Sequence, residues 1–322
     1  TAAAILKLRD GGKLSLDDPL SRFLPDYPQP GAGATIRQLL NHTSGIQSYT
    51  SIPGWMVEAN TGRPFTTQQL IAQFAAMPQV FPNGSRWAYN NSGYVLLGAV
   101  IEKVTGKPWH QAIDDLLLQP AGLTRIGYGG DPDLTRGMAD GYTSHDGKVA
   151  PAQRIDMSVP HAAGALVGTI GDLARWNAAL HAGRILPLTS VAEMTAPTRL
   201  PDGKEEPYGF GLARAEIRGR PAIGHDGGIF GFSTASMYLP EQRLFVAVLV
   251  NSDAPAAPPQ LLLTRMAALA LNDPFPEFQK TAADLKALEP AFGVYKWDGG
   301  ERQFYAREGR LFTQRGGGVP ME

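Results

Sequence analysis

The hydrophobic pattern of this chain changes character part-way along. Up to about residue 200, apolar positions recur at helical spacing; after residue 205 they fall into short runs separated by turn residues. The opening TAAAILKLRD is apolar on every side through Ala2, Ala3, Ala4, Ile5, Leu6 and Leu8, so residues 1–10 read as a buried helix stopped by Gly11-Gly12. TIRQLLNHTSGI (35–46) predicts a short helix ending in a polar turn, and TTQQLIAQFAAM (66–77) a helix with a Thr start. SGYVLLGAVIEKVT (92–105) predicts a long helix with Val95, Leu96, Ala99, Val100 and Val104 on one face and Gly106 as its stop. Further helices are expected at 109–118, 171–182 and, as a buried element, 261–271. Residues 125–160 read as loop. YGFGLARAEI, AIGHDG, FSTASMYL and LFVAVLVN read as strands, with PEQR (240–243) as a hairpin turn. Three more alternating strands, FGVYKW, QFYARE and RLFTQR, follow with EGR as a turn. Both ends read as cut: Thr1 as mid-helix, and the last meander as a sheet with open edges.

Composition narrows the function classes. Apolar residues make up 43% and charged residues 18%, which fits a globular chain with a sizeable core. Lys and Arg number 29 against 30 Asp and Glu, so no field is available to hold a nucleic acid. No apolar run reaches the roughly 18 residues of a membrane span. Cys is absent, which removes disulfides, thiolate metal sites and a Cys nucleophile. The six His residues have no metal-ligand spacing, and no metal or cofactor is implied.

Two segments carry candidate chemistry. In WAYNNSGYVLLGAVIEKVTG, Tyr89 and Asn91 stand just before the apolar helix, which Asn91 and Ser92 can cap. A phenol held there can relay protons if a neighbouring cation lowers its pKa. A capping Asn beside an ordinary core Tyr gives the same pattern. In AIGHDGGIFGFSTASMYL, His225-Asp226-Gly227-Gly228 opens a strand hairpin whose small residues let a ligand approach the backbone. The Gly228 N–H can aim at a developing oxyanion. A turn histidine is the plain alternative, since His-x-Gly also occurs at His145 and His181. GFSTA (231–235) imitates a nucleophile elbow around Ser233 but lacks its last Gly and enters a strand. NHTSG (41–45) reads as a structural turn with His42 hydrogen-bonded, not as a nucleophile–base pair.

Taken in order, these blocks resemble one family, the serine hydrolases related to class C β-lactamases, penicillin-binding D,D-peptidases and β-lactamase-like esterases. The matching stretches are TAAAILKLRDGGKLSLDDPLSRFLP, TIRQLLNHTSGI, FPNGSRWAYNNSGYVLLGAVIEKVTGKPW, AAGALVGTIGDLARW and GHDGGIFGFSTASMYLPEQRLFVAVLVN. The resemblance implies an α/β fold, a mostly antiparallel sheet flanked by helices. Residues 1–44 and 161–287 would form the hydrolase domain, 45–160 a helical insert and 288–322 a partial lipocalin-like β module. Of the family's three motifs, Tyr-x-Asn maps to Tyr89 and Asn91, and His-x-Gly to His225 and Gly227. The first, Ser-x-x-Lys, is missing, because no Ser here is followed three residues later by Lys. The resemblance puts that pair just ahead of Thr1, so the chain itself is expected not to turn over.

The implied chemistry is acyl transfer to Ser, with Lys and Tyr89 sharing the proton and water releasing the acyl-enzyme. Asn91 would position the substrate amide or the Lys. His225 would stand where other members carry Lys and contact a substrate carboxylate or ester oxygen, beside Asp226 and Gly227. Gly228 N–H would complete the oxyanion hole. An imidazole is mostly neutral near pH 7, which tilts the expectation towards an esterase or peptidase. The implied partner is a small-molecule or peptide substrate, and the implied location periplasmic or secreted. A non-catalytic peptide- or peptidoglycan-binding relative is the alternative.

Overall fold

A computed structural model describes residues 1–145, 148–276, 284–297 and 300–316. The chain divides into two compact units, Thr1–Pro274 and Phe275–Glu322.

In the first unit, helix α1 (Ala2–Asp10) buries all six of its apolar residues and ends at Gly11. Helix α2 (Ile36–Leu40) starts with a capping box, in which the Thr35 side chain accepts from Gln38 N–H and Gln38 answers to the Thr35 N–H. Thr66 and Gln69 repeat that box, but the helix they start runs only over Thr67–Ile71 and the remainder to Met77 is turns. Helix α3 (Asn91–Thr105) is the longest element of the core; Leu97 and Ile101 are buried as well as the predicted face, so it is packed on nearly every side. Gly98 lets it approach His161 and Ala162, where a Cβ would stand 2.7 Å from the Ala162 methyl. Residues 109–118 form one helical turn and a half, Trp109–Ile113 continuing as a wider π turn over Asp114–Leu118. Short strands at Ile126–Tyr128, Tyr142–His145 and Lys148–Pro151 interrupt the stretch expected to be loop. Helix α4 (Ile170–His181) follows, and helix α5 (Leu188–Thr195), which the sequence pattern does not suggest, packs near α1. Arg9 on α1 reaches Glu193 on α5 at 2.6 Å.

The main sheet is an antiparallel meander of β1 (Ala213–Ile217), β2 (Arg220–Ile229), β3 (Phe232–Leu239) and β4 (Leu244–Val250), in spatial order β4-β3-β2-β1. The predicted turn at 240–243 joins β3 to β4. Helix α6 (Pro259–Ala270) covers one face, burying Leu263 and Ala267 against Ile217, Ala222, Ala235, Leu239 and Val246. The expectation of a buried helix is corrected here. One side alone meets the sheet, and Leu261, Leu262, Met266 and Leu269 are exposed.

The register of β2 positions the site. Its first half pairs with β1 from Arg220–Ile217 to Gly224–Ala213, while its pairing with β3 runs from Ile223 to Ile229. From His225 onward β2 therefore has a neighbour on one side and a free backbone edge on the other. The second unit contains the expected meander, β5 (Gly293–Trp297), β6 (Gly300–Arg307) and β7 (Arg310–Arg315), paired antiparallel in that order.

Candidate active site

The start of α3 and the free half of β2 meet across a cluster of aromatic rings. The ring centroids of Tyr89 and His225 are 5.9 Å apart. Tyr89 is 45% exposed and its hydroxyl makes no hydrogen bond among the described residues. Burial of its ring, with the Asp226 carboxylate nearby, raises its pKa. Among the described residues no cation supplies the lowering that a proton relay needs. His225 Nδ1 faces the carbonyl oxygen of Asp226 at 2.5 Å, and Nε2 faces the Tyr208 hydroxyl at 2.9 Å. Asp226 accepts from Gln260 Nε2 of α6 at 2.9 Å.

Asn91 opens the first turn of α3, but the capping side chain is that of Asn90. Asn90 Oδ1 accepts from Gly93 N–H at 3.1 Å, and its Nδ2 donates to the Ile46 carbonyl. This corrects the expectation of capping by Asn91 and Ser92. Ser92 Oγ instead accepts from the Tyr49 N–H at 2.8 Å. Asn91 Nδ2 donates to Thr50 Oγ1 at 3.0 Å and its N–H to Ser48 Oγ at 3.2 Å. Its side-chain oxygen stays available as an acceptor.

Gly227 and Gly228 lie exposed on the free half of β2. A Cβ on Gly228 would meet nothing within 4 Å, whereas one on Gly227 would press on Thr234 Oγ1 at 2.8 Å. Counted from the two-residue turn that joins Ile229 to Phe232, the alternation of an antiparallel ladder directs the Gly228 N–H to the free edge. Such an N–H has no strand partner and can meet a developing oxyanion.

Two side chains of this cluster escaped the sequence reading. Tyr208, 7% exposed, bridges His225 and His42 through its hydroxyl. It opens the run YGFGLARAEI that reads as a strand, but the strand begins only at Ala213, and no motif marks the Tyr208 hydroxyl. His42 is 2% exposed and adopts the left-handed backbone conformation, with φ of 61°. Its ring meets Tyr89 at 4.5 Å, Tyr208 at 4.9 Å and Tyr94 at 5.1 Å. The NHTSG turn is indeed hydrogen-bonded through His42, and it is also part of the floor of this site. Gly45 in the same turn, at φ of 67°, could carry no side chain, since a Cβ would fall 1.9 Å from the Phe81 carbonyl oxygen.

Of the remaining candidates, Ser233 stands across the ladder from Gly228, but its Oγ is engaged, donating to the Ser252 carbonyl at 2.7 Å. His181 ends α4 stacked on Tyr238, and the His-x-Gly at His145 runs into residues 146–147, outside the described residues. Surface hollows lined by Lys107, His110, Asp114, Tyr128 and Asp131 share no residue with the cluster. Among the described residues, no three His, Asp or Glu side chains gather as a metal site. No helix of the described residues is long and apolar enough to cross a membrane.

An antiparallel sheet backed by helices in this arrangement is the architecture of the β-lactamase and transpeptidase fold shared by penicillin-binding protein homologues. The sequence profile of the Beta-lactamase family matches residues 1–271, and the chain belongs to that family. It is 28% identical to penicillin-binding protein 4* of Bacillus subtilis (strain 168), over 100% of this chain and 75% of that protein. It is 34% identical to esterase EstB of Burkholderia gladioli, over 52% of this chain and 45% of that one. Among solved structures, a D-stereospecific amidohydrolase from Streptomyces sp. superposes with a TM-score of 0.68 at 31% identity, covering 78% of this chain and 79% of that one. The chain spans three quarters of the first relative and less than half of the second.

Proposed function

We propose that this chain is the greater part of an acyl-transfer hydrolase acting on an ester, an amide or D-peptide, or a β-lactam. The observation that carries the reading is the approach of Tyr89 to His225, 5.9 Å between ring centroids, across the free half of β2. In this reading Tyr89 shares a proton with the Lys of a Ser-x-x-Lys pair. That ammonium would oppose the rise in pKa that burial and Asp226 impose on the phenol. Asn91 offers its side-chain oxygen to the substrate amide or to that Lys. Gly228 N–H stabilises the oxyanion beside the N–H of the nucleophile. His225 walls the cleft opposite Tyr89, with Asp226 and Gly227 lining its rim. The esterase and D-stereospecific amidohydrolase relatives support ester and D-amide substrates.

Ser-x-x-Lys does not occur among the 322 residues. The chain alone is therefore expected to bind without turnover, and a non-catalytic peptide-binding relative is the second reading. The test adds a segment carrying Ser-x-x-Lys ahead of Thr1 and assays esters, D-amino peptides and β-lactams, with Tyr89→Phe as the variant. Turnover that falls by roughly 100-fold or more in Tyr89→Phe, with the fold intact, is the expected result. Equal turnover in the variant would remove the proton-relay role. Ligand binding with no turnover in either protein would favour the second reading.

A further inference from the structure

We propose that His42 and Tyr208 are positioning residues that hold His225 as the Nδ1–H tautomer, leaving that ring no N–H for a substrate carboxylate. One backbone amide sets the direction of the whole network. Asn90 N–H donates to His42 Nδ1 at 3.1 Å, so that nitrogen must carry a lone pair. A neutral His42 then bears its proton on Nε2, which faces the Tyr208 hydroxyl oxygen at 3.2 Å. Tyr208 accepts that proton's hydrogen bond, and its own O–H is left to donate to His225 Nε2 at 2.9 Å. His225 Nε2 is thereby an acceptor, and the remaining proton sits on Nδ1, where it donates to the Asp226 carbonyl oxygen at 2.5 Å. The Asn90 N–H, which cannot accept, fixes the first link, and the Tyr208 O–H has no other acceptor than His225 Nε2 among the described residues, which fixes the last.

Burial supports the starting point, since it pushes the His42 pKa down to about 3. The groups around His225 are the Asp226 carboxylate, at 3.8 Å from Nδ1, the Tyr208 hydroxyl and the Tyr89 ring. A substrate bearing a carboxylate at this point gains no donor from the ring, whereas a neutral ester or amide loses nothing. The site accordingly takes acyl substrates without a free carboxylate beside His225. This substrate consequence rests on the acyl-transfer reading; the tautomer does not.

The experiment is long-range proton–nitrogen NMR on the full chain labelled with 15N-histidine, with His225→Asn used to assign the ring. The expected spectrum has His225 as the Nδ1–H tautomer and His42 as the Nε2–H tautomer, with no substrate present. In Tyr208→Phe, His225 loses the single-tautomer signature. His225 found as Nε2–H in the unmodified chain would overturn the proposal, and so would a signature unchanged in Tyr208→Phe. The first of these needs no variant to fold. The second arm measures dissociation constants of benzylpenicillin and its methyl ester. The ester binds at least as tightly to the unmodified chain, and Tyr208→Phe shifts the ratio towards the acid by about tenfold, the worth of one hydrogen bond to a charged group. A tenfold preference for the acid in the unmodified chain would overturn the substrate consequence. Absent turnover in the nucleophile-bearing protein would count against the acyl-transfer reading while leaving the tautomer result standing.

Discussion

Two adjacent asparagines divide tasks that the sequence presents as one. Asn90 is 5% exposed and spends both ends of its amide inside the protein, on Gly93 N–H and the Ile46 carbonyl. Asn91 spends one end on Thr50, and its oxygen has no partner among the described residues. Replacing Asn90 by Ala removes the helix cap and orphans a buried carbonyl, so it should cost roughly 2 kcal/mol or more of stability. Asn91→Ala loses one partly exposed hydrogen bond and should stay within about 1 kcal/mol of the unmodified chain. Urea midpoints of the two variants measure the contrast; equal losses would mean that Asn91 shares the cap. The sequence could not assign these roles, because each Asn is a good cap by composition and which one folds back depends on where the Ile46 carbonyl lies.

At the scale of elements, α6 and β2 were both legible as elements and both misleading in their surroundings. The apolar run of α6 reads as a buried helix, yet it meets the sheet with one face. Leu263 is 3% exposed and Leu269 is 63% exposed, six residues on and about 120° around the helix. Leu263→Ala should cost about 2–5 kcal/mol, while Leu269→Ala should stay within roughly 0.5 kcal/mol. Thermal or urea unfolding of the two variants decides this, and a large loss at Leu269 would mean that the outer face is covered. In β2, the run AIGHDG identifies a strand but says nothing about where its neighbour β1 stops. That stop, at the Ala213–Gly224 pair, creates the free edge on which the proposed oxyanion N–H depends.

The whole molecule encloses two neutral histidines, and this sets a pH dependence. Burial pushes the pKa of His42 and of His161 down to about 3, from an ordinary value near 6.5. Between these values the unfolded chain binds protons that the folded chain does not. Stability is therefore fully present above about pH 6.5 and falls as pH drops towards 3, by up to about 1.4 kcal/mol per pH unit for each histidine. Urea midpoints from pH 7 to pH 4 should decline, and a folded His42→Gln variant should decline less steeply. A flat profile in the unmodified chain would show that the two rings are not held neutral.

The order of the motifs is readable from the residues alone. Tyr89, Asn91, His225 and Gly228 can be named because local patterns carry them, an apolar helix after one pair and an apolar hairpin after the other. The helix starts at Thr35 and Thr66 and the meander after residue 205 are legible for the same reason. Caps, turns and strand alternation are written in neighbours along the chain. Tertiary structure alone decided which residues complete the site. His42 and Tyr208 are 166 positions apart and Tyr208 and His225 are 17 apart, joined by hydrogen bonds whose directions follow from one backbone amide. No local period records such a contact, because it joins residues that only the folded chain brings together. Burial and hydrogen-bond direction belong to the assembled fold, and they turn an ordinary turn histidine into a fixed part of the site.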